Sequence, residues 1–112
     1  GFVGEALDYV NTHMTENISV RDIADALNVS QSYLSHAFKK STGYGLWNYV
    51  ISKRLVYAQK LLLEGISVTE ACYESGFRDY AHFIKSFTKT FGCSPKQYGK
   101  EEPSSYMVKL YL

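Results

Sequence analysis

Apolar residues recur every three to four positions along most of the chain, which is the period of an amphipathic α-helix. The first such helix is predicted to end near Thr15, with inward residues Val3, Ala6, Leu7, Val10 and Met14. A longer helix is predicted to end at Gly65, with inward residues Trp47, Val50, Ile51, Leu55, Ala58 and Leu61 or Leu62. No stretch before the tail has the pattern of a strand, so the sequence predicts an all-α fold of about seven helices.

A unit of short helix, tight turn and longer helix occurs twice. The first copy starts at Ser19 and reads SVRDIADALNVSQSYLSHAFKKSTG. The second starts at Ser67 and reads SVTEACYESGFRDYAHFIKSFTKTFG. The offset between the copies is 48 before the turn and 49 after it, because one residue is inserted in the second turn. Such a unit is typical of a helix-turn-helix, here duplicated and joined by the long helix.

Capping signals mark the ends of these helices. Ser67 with Glu70 has the form of a full capping box, and Ser19 with Asp22 has the same form with a shorter acid. The other predicted start and stop positions are Asn28, Ser30, Gly43, Gly76, Asp79, Gly92 and Ser94-Pro95. We therefore predict a first helix-turn-helix subdomain over residues 1–45, a linker helix over 46–64, a second subdomain over 65–100 and a C-terminal tail over 101–112.

The second helix of each unit is predicted to have one core face and one outer face. In the first unit the inward residues are Leu34, Ala37, Phe38 and Ser41, and the outward residues are Ser32, Ser35, His36, Lys39 and Lys40. In the second unit the inward residues are Phe83, Phe87 and Phe91, the outward residues are Ala81, Lys85, Thr88 and Lys89, and Ile84 lies at the border. Neither outer face contains an acidic residue.

The net charge of +1 hides a strong segregation of charge along the chain. Residues 1–25 have a net charge of −4 and residues 64–79 of −3, whereas residues 26–63 reach +5 and residues 80–100 reach +4. Both positive blocks are free of acids, and each contains the second helix of a unit. A charged outer face is usually only a solvated surface, but its duplication favours a functional role.

The outer faces have the chemistry of helices that lie in a DNA major groove. Ser and Thr hydroxyls donate to or accept from base edges, small or apolar groups such as Ala81 and Ile84 fit thymine methyl groups, and His36 and Lys85 can donate to guanine. Three lysines are better suited to neutralise phosphate, namely Lys39, Lys40 and Lys89.

From Ile18 to Tyr98 the chain resembles the DNA-binding domain of the AraC family of bacterial transcription regulators. The residues that carry the resemblance are Ile23-Ala24, Leu27, Ser30, Tyr33-Leu34, Phe38-Lys39-Lys40, Thr42-Gly43, Tyr49, Arg54-Leu55, Ala58, Leu61-Leu62, Gly76-Phe77, Phe83, Phe87, Phe91-Gly92, Ser94-Pro95 and Tyr98. The resemblance implies two recognition helices in successive major-groove segments on one face of double-stranded DNA, about 34 Å apart.

Family positions that read bases fall on Ser32, Ser35, His36, Tyr80, Ala81, Ile84 and Lys85, and we expect phosphate contacts from Gln31, Lys39, Lys40, Thr88 and Lys89. Besides DNA, RNA polymerase is a candidate partner, and no cofactor is expected. Family members often place an effector or dimerisation domain N-terminal to this one. Because the chain starts at Gly1, we expect it to be a fragment of a longer protein and to lack that domain. Departures from the family pattern at Cys72, Thr88 and Gly99 predict weaker or more apolar contacts in the second unit.

Two other classes of function fit the sequence less well. An enzyme is disfavoured because His13, His36 and His82 stand alone and no nucleophile, metal or phosphate-loop motif is present. A helical protein-interaction module without DNA binding is the better alternative, since aromatic residues and the apolar tail could form an interface.

The remaining sequence features concern the cellular compartment. Cys72 and Cys93 lie in no paired motif, so we expect reduced, buried thiols. No apolar run approaches the roughly 18 residues of a membrane span, and no signal peptide is seen, so we expect a cytoplasmic protein.

Overall fold

The computed structural model describes residues 1–100 and contains seven α-helices and no strand within that range. The helices are α1 (Phe2–His13), α2 (Val20–Ala26), α3 (Gln31–Thr42), α4 (Leu46–Leu63), α5 (Val68–Glu74), α6 (Tyr80–Phe91) and α7 (Pro95–Lys100). The predicted all-α fold, with two helix-turn-helix units and a long helix between them, is confirmed. None of these helices has the length and apolar character needed to span a membrane. The predicted tail, 101–112, lies outside the described residues.

The chain forms two compact units, Gly1–Arg54 and a second that begins at Leu55, so α4 contributes to both. In the first unit α1, α2 and α3 pack around one apolar core. Its buried residues are Ala6, Val10, Ile18, Ile23, Ala24, Leu34, Phe38, Leu46 and Val50. The amphipathic spacing of these residues on each helix explains why the helices bury these faces together.

Local hydrogen bonds set the ends of α2 and α3. Ser19 Oγ accepts from the Asp22 N–H at 3.2 Å, and the Asp22 carboxylate accepts from the Ser19 N–H at 2.8 Å, so this capping box is closed. Asn28 turns the chain with a φ of 58°, which Asn tolerates better than most residues. Ser30 then caps α3 by accepting from the Tyr33 N–H at 3.1 Å.

Arg54 ties the segment after α1 to α4 within the first unit. Its Nε donates to the Met14 carbonyl at 2.6 Å, and a terminal guanidinium nitrogen donates to the Glu16 carbonyl at 2.9 Å. The guanidinium also lies 5.2 Å from the centre of the Trp47 ring. Since Arg54 is only 5% exposed, its charge is committed to the fold, and the positive block 26–63 presents one charge fewer than the sequence suggests.

Aromatic rings dominate the core of the second unit. The rings of Phe77 and Phe83 lie 5.1 Å apart, those of Phe83 and Phe87 5.8 Å, and those of Phe87 and Phe91 4.6 Å. Tyr98 of α7 meets Phe87 edge to face at 5.6 Å. These tilted and edge-on arrangements are the ones that aromatic pairs prefer, and they hold α6 against the rest of its unit.

The two cysteines differ in exposure, and neither forms a disulfide. Cys72 is fully buried, as expected, and burial, followed by the nearby charge of Asp79, raises its pKa to about 11. Cys93 is partly exposed. The expectation of burial therefore holds fully for Cys72 and only in part for Cys93.

Two local predictions were wrong. Ser41 is exposed instead of facing the core, because the last turn of α3 extends past Phe38; the half-buried residue there is Thr42, whose hydroxyl donates to the Phe38 carbonyl at 2.8 Å. At α5 Ser67 Oγ accepts from the Glu70 N–H at 3.2 Å, but no bond from the Ser67 N–H to the Glu70 carboxylate is present in residues 1–100. The shorter Asp22 thus closes its capping box where the longer Glu70 does not.

Candidate nucleic-acid interface

The exposed face of α3 brings together every predicted site residue of the first unit. Leu34 and Phe38 are buried on the opposite side and fix the orientation of the helix. An open surface depression of about 660 Å³ is lined by Gln31, Ser32, Ser35, His36, Lys39 and Lys40. The depression therefore coincides with the three predicted base-reading positions and three predicted phosphate positions of this helix.

Polar groups on this face are available to a ligand. Within residues 1–100 the hydroxyls of Ser32 and Ser35 form no hydrogen bond, and Lys39 and Lys40 form no ion pair. His36 is exposed between them. Since serine both donates and accepts while lysine only donates, the face can match either kind of base-edge group and can also neutralise phosphate.

The corresponding face of α6 is held in the same way. Asp79 caps the helix by accepting from the His82 N–H at 3.0 Å, and Phe83 and Phe87 are buried beneath it. Gly92 ends the helix with a φ of 78°, as Gly43 ends α3 with a φ of 82°. The predicted outward residues Ala81, Lys85, Thr88 and Lys89 are exposed, Tyr80 is 40% exposed, and Ile84 is half-buried at the border.

Thr88 has a hydrogen-bonding arrangement that the sequence did not reveal. Its hydroxyl donates to the carbonyl of Ile84, one turn earlier, at 2.8 Å. The hydroxyl hydrogen is therefore used inside the helix and is not offered to a phosphate in this conformation. The exposed side chain keeps a hydroxyl oxygen that can accept a hydrogen bond, and it also carries a γ-methyl group.

Two aromatic residues beside these faces were not among the predicted site residues. Tyr33 is 58% exposed, and its ring meets Phe2 edge to face at 5.4 Å. His82, its equivalent at the offset of 49, lies edge to face with Phe77 at 5.8 Å. Both residues lie three positions after the N-cap of their helix, which the sequence repeat reveals. The aromatic rings that they contact could not be read from the repeat.

Comparison with known proteins identifies the family of the chain that carries these faces. A family model described as a helix-turn-helix domain matches residues 23–101, more than two thirds of the chain. A transcriptional regulator from Chromobacterium violaceum, described as having an AraC-type DNA-binding domain, is 26% identical with a TM-score of 0.78, and 88% of each chain is covered. The chain belongs to the AraC-type helix-turn-helix family.

Two curated relatives of this AraC-type chain are described as regulators of bacterial operons. The Msm operon regulatory protein of Streptococcus mutans is 34% identical over 101 residues, which cover 89% of this chain and 36% of the relative. The lactose operon transcription activator of Staphylococcus xylosus is 31% identical over 97 residues, covering 86% of this chain and 35% of the relative. The chain thus spans about a third of the length of these two relatives.

A solved relative includes nucleic acid. The DNA-binding domain of AdpA, described as a global transcriptional factor in complex with a target DNA, is 25% identical to this AraC-type chain with a TM-score of 0.81. The alignment covers 96% of this chain and 94% of the other. The C-terminal domain of the response regulator yesN from Fusobacterium nucleatum is 30% identical with a TM-score of 0.80, covering 85% of this chain and 94% of the other.

Proposed function

We propose that this chain binds double-stranded DNA sequence-specifically, through α3 and α6 in the major groove, and thereby regulates transcription in the bacterial cytoplasm. The observation that carries the proposal is the exposed, acid-free face of α3, with its unpaired serines and lysines, in a chain of the AraC-type family. The structure of AdpA with a target DNA supports the choice of ligand.

The side chains that each helix exposes suggest which of them contact bases and which contact phosphates. Ser32, Ser35 and His36 would contact base edges from α3, and Tyr80, Ala81, Ile84 and Lys85 would do so from α6. Lys39, Lys40 and Lys89 would neutralise phosphates, with Gln31 donating to the backbone from the first turn of α3. Thr88, which was expected to contact phosphate, donates its hydroxyl hydrogen to the Ile84 carbonyl, so we assign it no phosphate in this conformation.

Other parts of a regulator would lie outside residues 1–100. Because the chain spans about a third of the length of its relatives, we assign effector sensing or dimerisation to a further domain of the full-length protein. RNA polymerase is the partner that a DNA-bound activator or repressor would influence.

A salt titration of DNA binding tests the proposal against a helical protein-interaction module. The affinity of the parent chain for random-sequence duplex is measured between roughly 50 and 200 mM salt, and log K should fall with log salt by about 0.9 per neutralised phosphate. Lys39, Lys40 and Lys89 alone should therefore produce a slope of about −2.7. No binding at the lowest salt concentration, or a flat slope, would favour the interaction module.

A further inference from the structure

We infer that α6 recognises thymine in its part of the DNA site through a row of methyl groups on Ala81, Ile84 and Thr88. This inference rests on the proposed DNA binding and adds to it the kind of base that the second unit prefers. The row is hereafter called the methyl row.

The geometry of α6 places these three residues along one side of the helix. Their spacing of three and then four residues brings them together on successive turns. Ala81 and Thr88 are exposed, and Ile84 is half-buried between them. Because the Thr88 hydroxyl donates to the Ile84 carbonyl at 2.8 Å, its hydrogen is not offered to a ligand, and the γ-methyl of Thr88 is the third methyl-bearing group of the row.

Charge next to the methyl row favours DNA over an apolar protein partner. Lys85 and Lys89 are exposed on the same helix and form no ion pair within residues 1–100. Two unneutralised lysines beside a row of methyl groups suit a ligand that combines phosphates with apolar groups. In the major groove that ligand is a stretch of DNA containing thymine, the only one of the four bases with a methyl group there.

The other three bases lack a methyl group in the major groove. They present hydrogen-bond donors or acceptors there, for which methyl groups supply no partner. The methyl row should therefore gain an apolar contact from thymine alone.

Equivalent positions in α3 provide an internal contrast. At the offset of 49 the methyl row corresponds to Ser32, Ser35 and Lys39, all exposed and none apolar. The two serine hydroxyls form no hydrogen bond within residues 1–100, unlike that of Thr88. Thymine recognition through methyl contact is therefore expected of α6 and not of α3.

Deoxyuridine tests the inference without altering the protein, because it differs from thymidine only by lacking the methyl group. A duplex site selected from random DNA is resynthesised with deoxyuridine in place of thymidine in one half at a time, and binding is measured by fluorescence anisotropy. In the half read by α6, affinity should fall by about fourfold for each contacted methyl. In the other half, the change should stay below about twofold.

Matched variants at Thr88 separate its methyl from its hydroxyl. Thr88→Val keeps the methyl and removes the hydroxyl, so the ratio of its affinities for the thymidine and deoxyuridine sites should match that of the parent. Thr88→Ser keeps the hydroxyl and removes the methyl, so the same ratio should fall by about fourfold. In Ile84→Ser, the ratio of affinities for the thymidine and deoxyuridine sites should fall by about fourfold, and only in the half read by α6. Ser35→Ala should leave that ratio unchanged.

The possible failures are distinguishable. If the parent binds a selected site equally well with thymidine and with deoxyuridine in both halves, the methyl row does not read thymine, although the proposed function stands. If the selected site contains no thymine in either half, the methyl row likewise does not read thymine, and the proposed function still stands. If no sequence is enriched from random DNA, the proposed function and this inference both fail.

Discussion

The two recognition helices share a scaffold and differ in what they present. α3 and α6 each begin at a side-chain cap, Ser30 or Asp79, and each ends at a left-handed glycine. Each buries two large apolar residues and keeps its outer face free of acids. Both outer faces carry two lysines, but α3 adds free serine hydroxyls and His36, whereas α6 adds methyl groups. The scaffold therefore fixes where a reading side chain stands, and the outer residues decide what it reads.

Phe87→Ala should have the largest effect, because it removes the ring that holds α6 in the second unit. That ring is fully buried and contacts Phe83, Phe91 and Tyr98. Truncation should cost about 3 to 5 kcal/mol of unfolding free energy in the second unit. Denaturant unfolding measures this loss, with the exposed Thr90→Ala as the control on the same helix. A melt close to that of the parent would contradict the core position of Phe87.

Arg54→Met should weaken the first unit and leave the aromatic core of the second in place. The change keeps an apolar stem but removes the hydrogen bonds to the Met14 and Glu16 carbonyls. Bonds from a charged donor are worth about 1.5 to 3 kcal/mol, and we expect a loss in that range. Hydrogen exchange resolves the two units, and protection should fall in α1 to α3. Equal loss in α5 to α7 would show that Arg54 does not act locally.

Local features of the fold were predictable from the sequence, and distant contacts were not. Ser30, Asp79 and the glycines at 43 and 92 were predicted correctly because capping depends on residues within one turn. Arg54 was not recognised as a tie because its partners are 38 and 40 residues away. Its charge was consequently counted with the positive block 26–63.

The candidate site was also predicted only in part. Helical periodicity predicted five exposed side chains of α3, and the α3 depression gathers these five with Gln31. The direction of the Thr88 hydroxyl was not predictable, because a threonine can either donate to its own helix or face outward. Its assignment as a phosphate contact therefore followed from residue type, and only the structure revealed the competing bond.

His36→Ala tests the polar reading assigned to α3. Loss of the imidazole should relax preference at one base position by about 1 to 3 kcal/mol and leave preferences elsewhere in the site unchanged. Binding is compared across duplexes that vary one base pair at a time. Lys85→Ala, the equivalent change in α6 at the offset of 49, should relax a different position. If both variants relax the same position, the two helices do not read separate parts of the site.

Lys39→Ala should have the smallest effect and should be the same for every sequence. Removing one phosphate contact should weaken all duplexes alike and make the salt slope shallower by about 0.9. Lys60→Ala is the matched control, because it removes the same charge from α4, where the ammonium group lies 6.0 Å from the Tyr57 ring. A slope that changes equally in both variants would mean that Lys39 acts only through net charge.

Selection of bound sites from random duplex DNA tests the central claim most directly. The account predicts an enriched site with two separate blocks of base preference, one altered by His36→Ala and the other by Ile84→Ser. The second block should contain thymine. An unenriched pool, or a single block that neither variant alters, would contradict sequence-specific reading by α3 and α6.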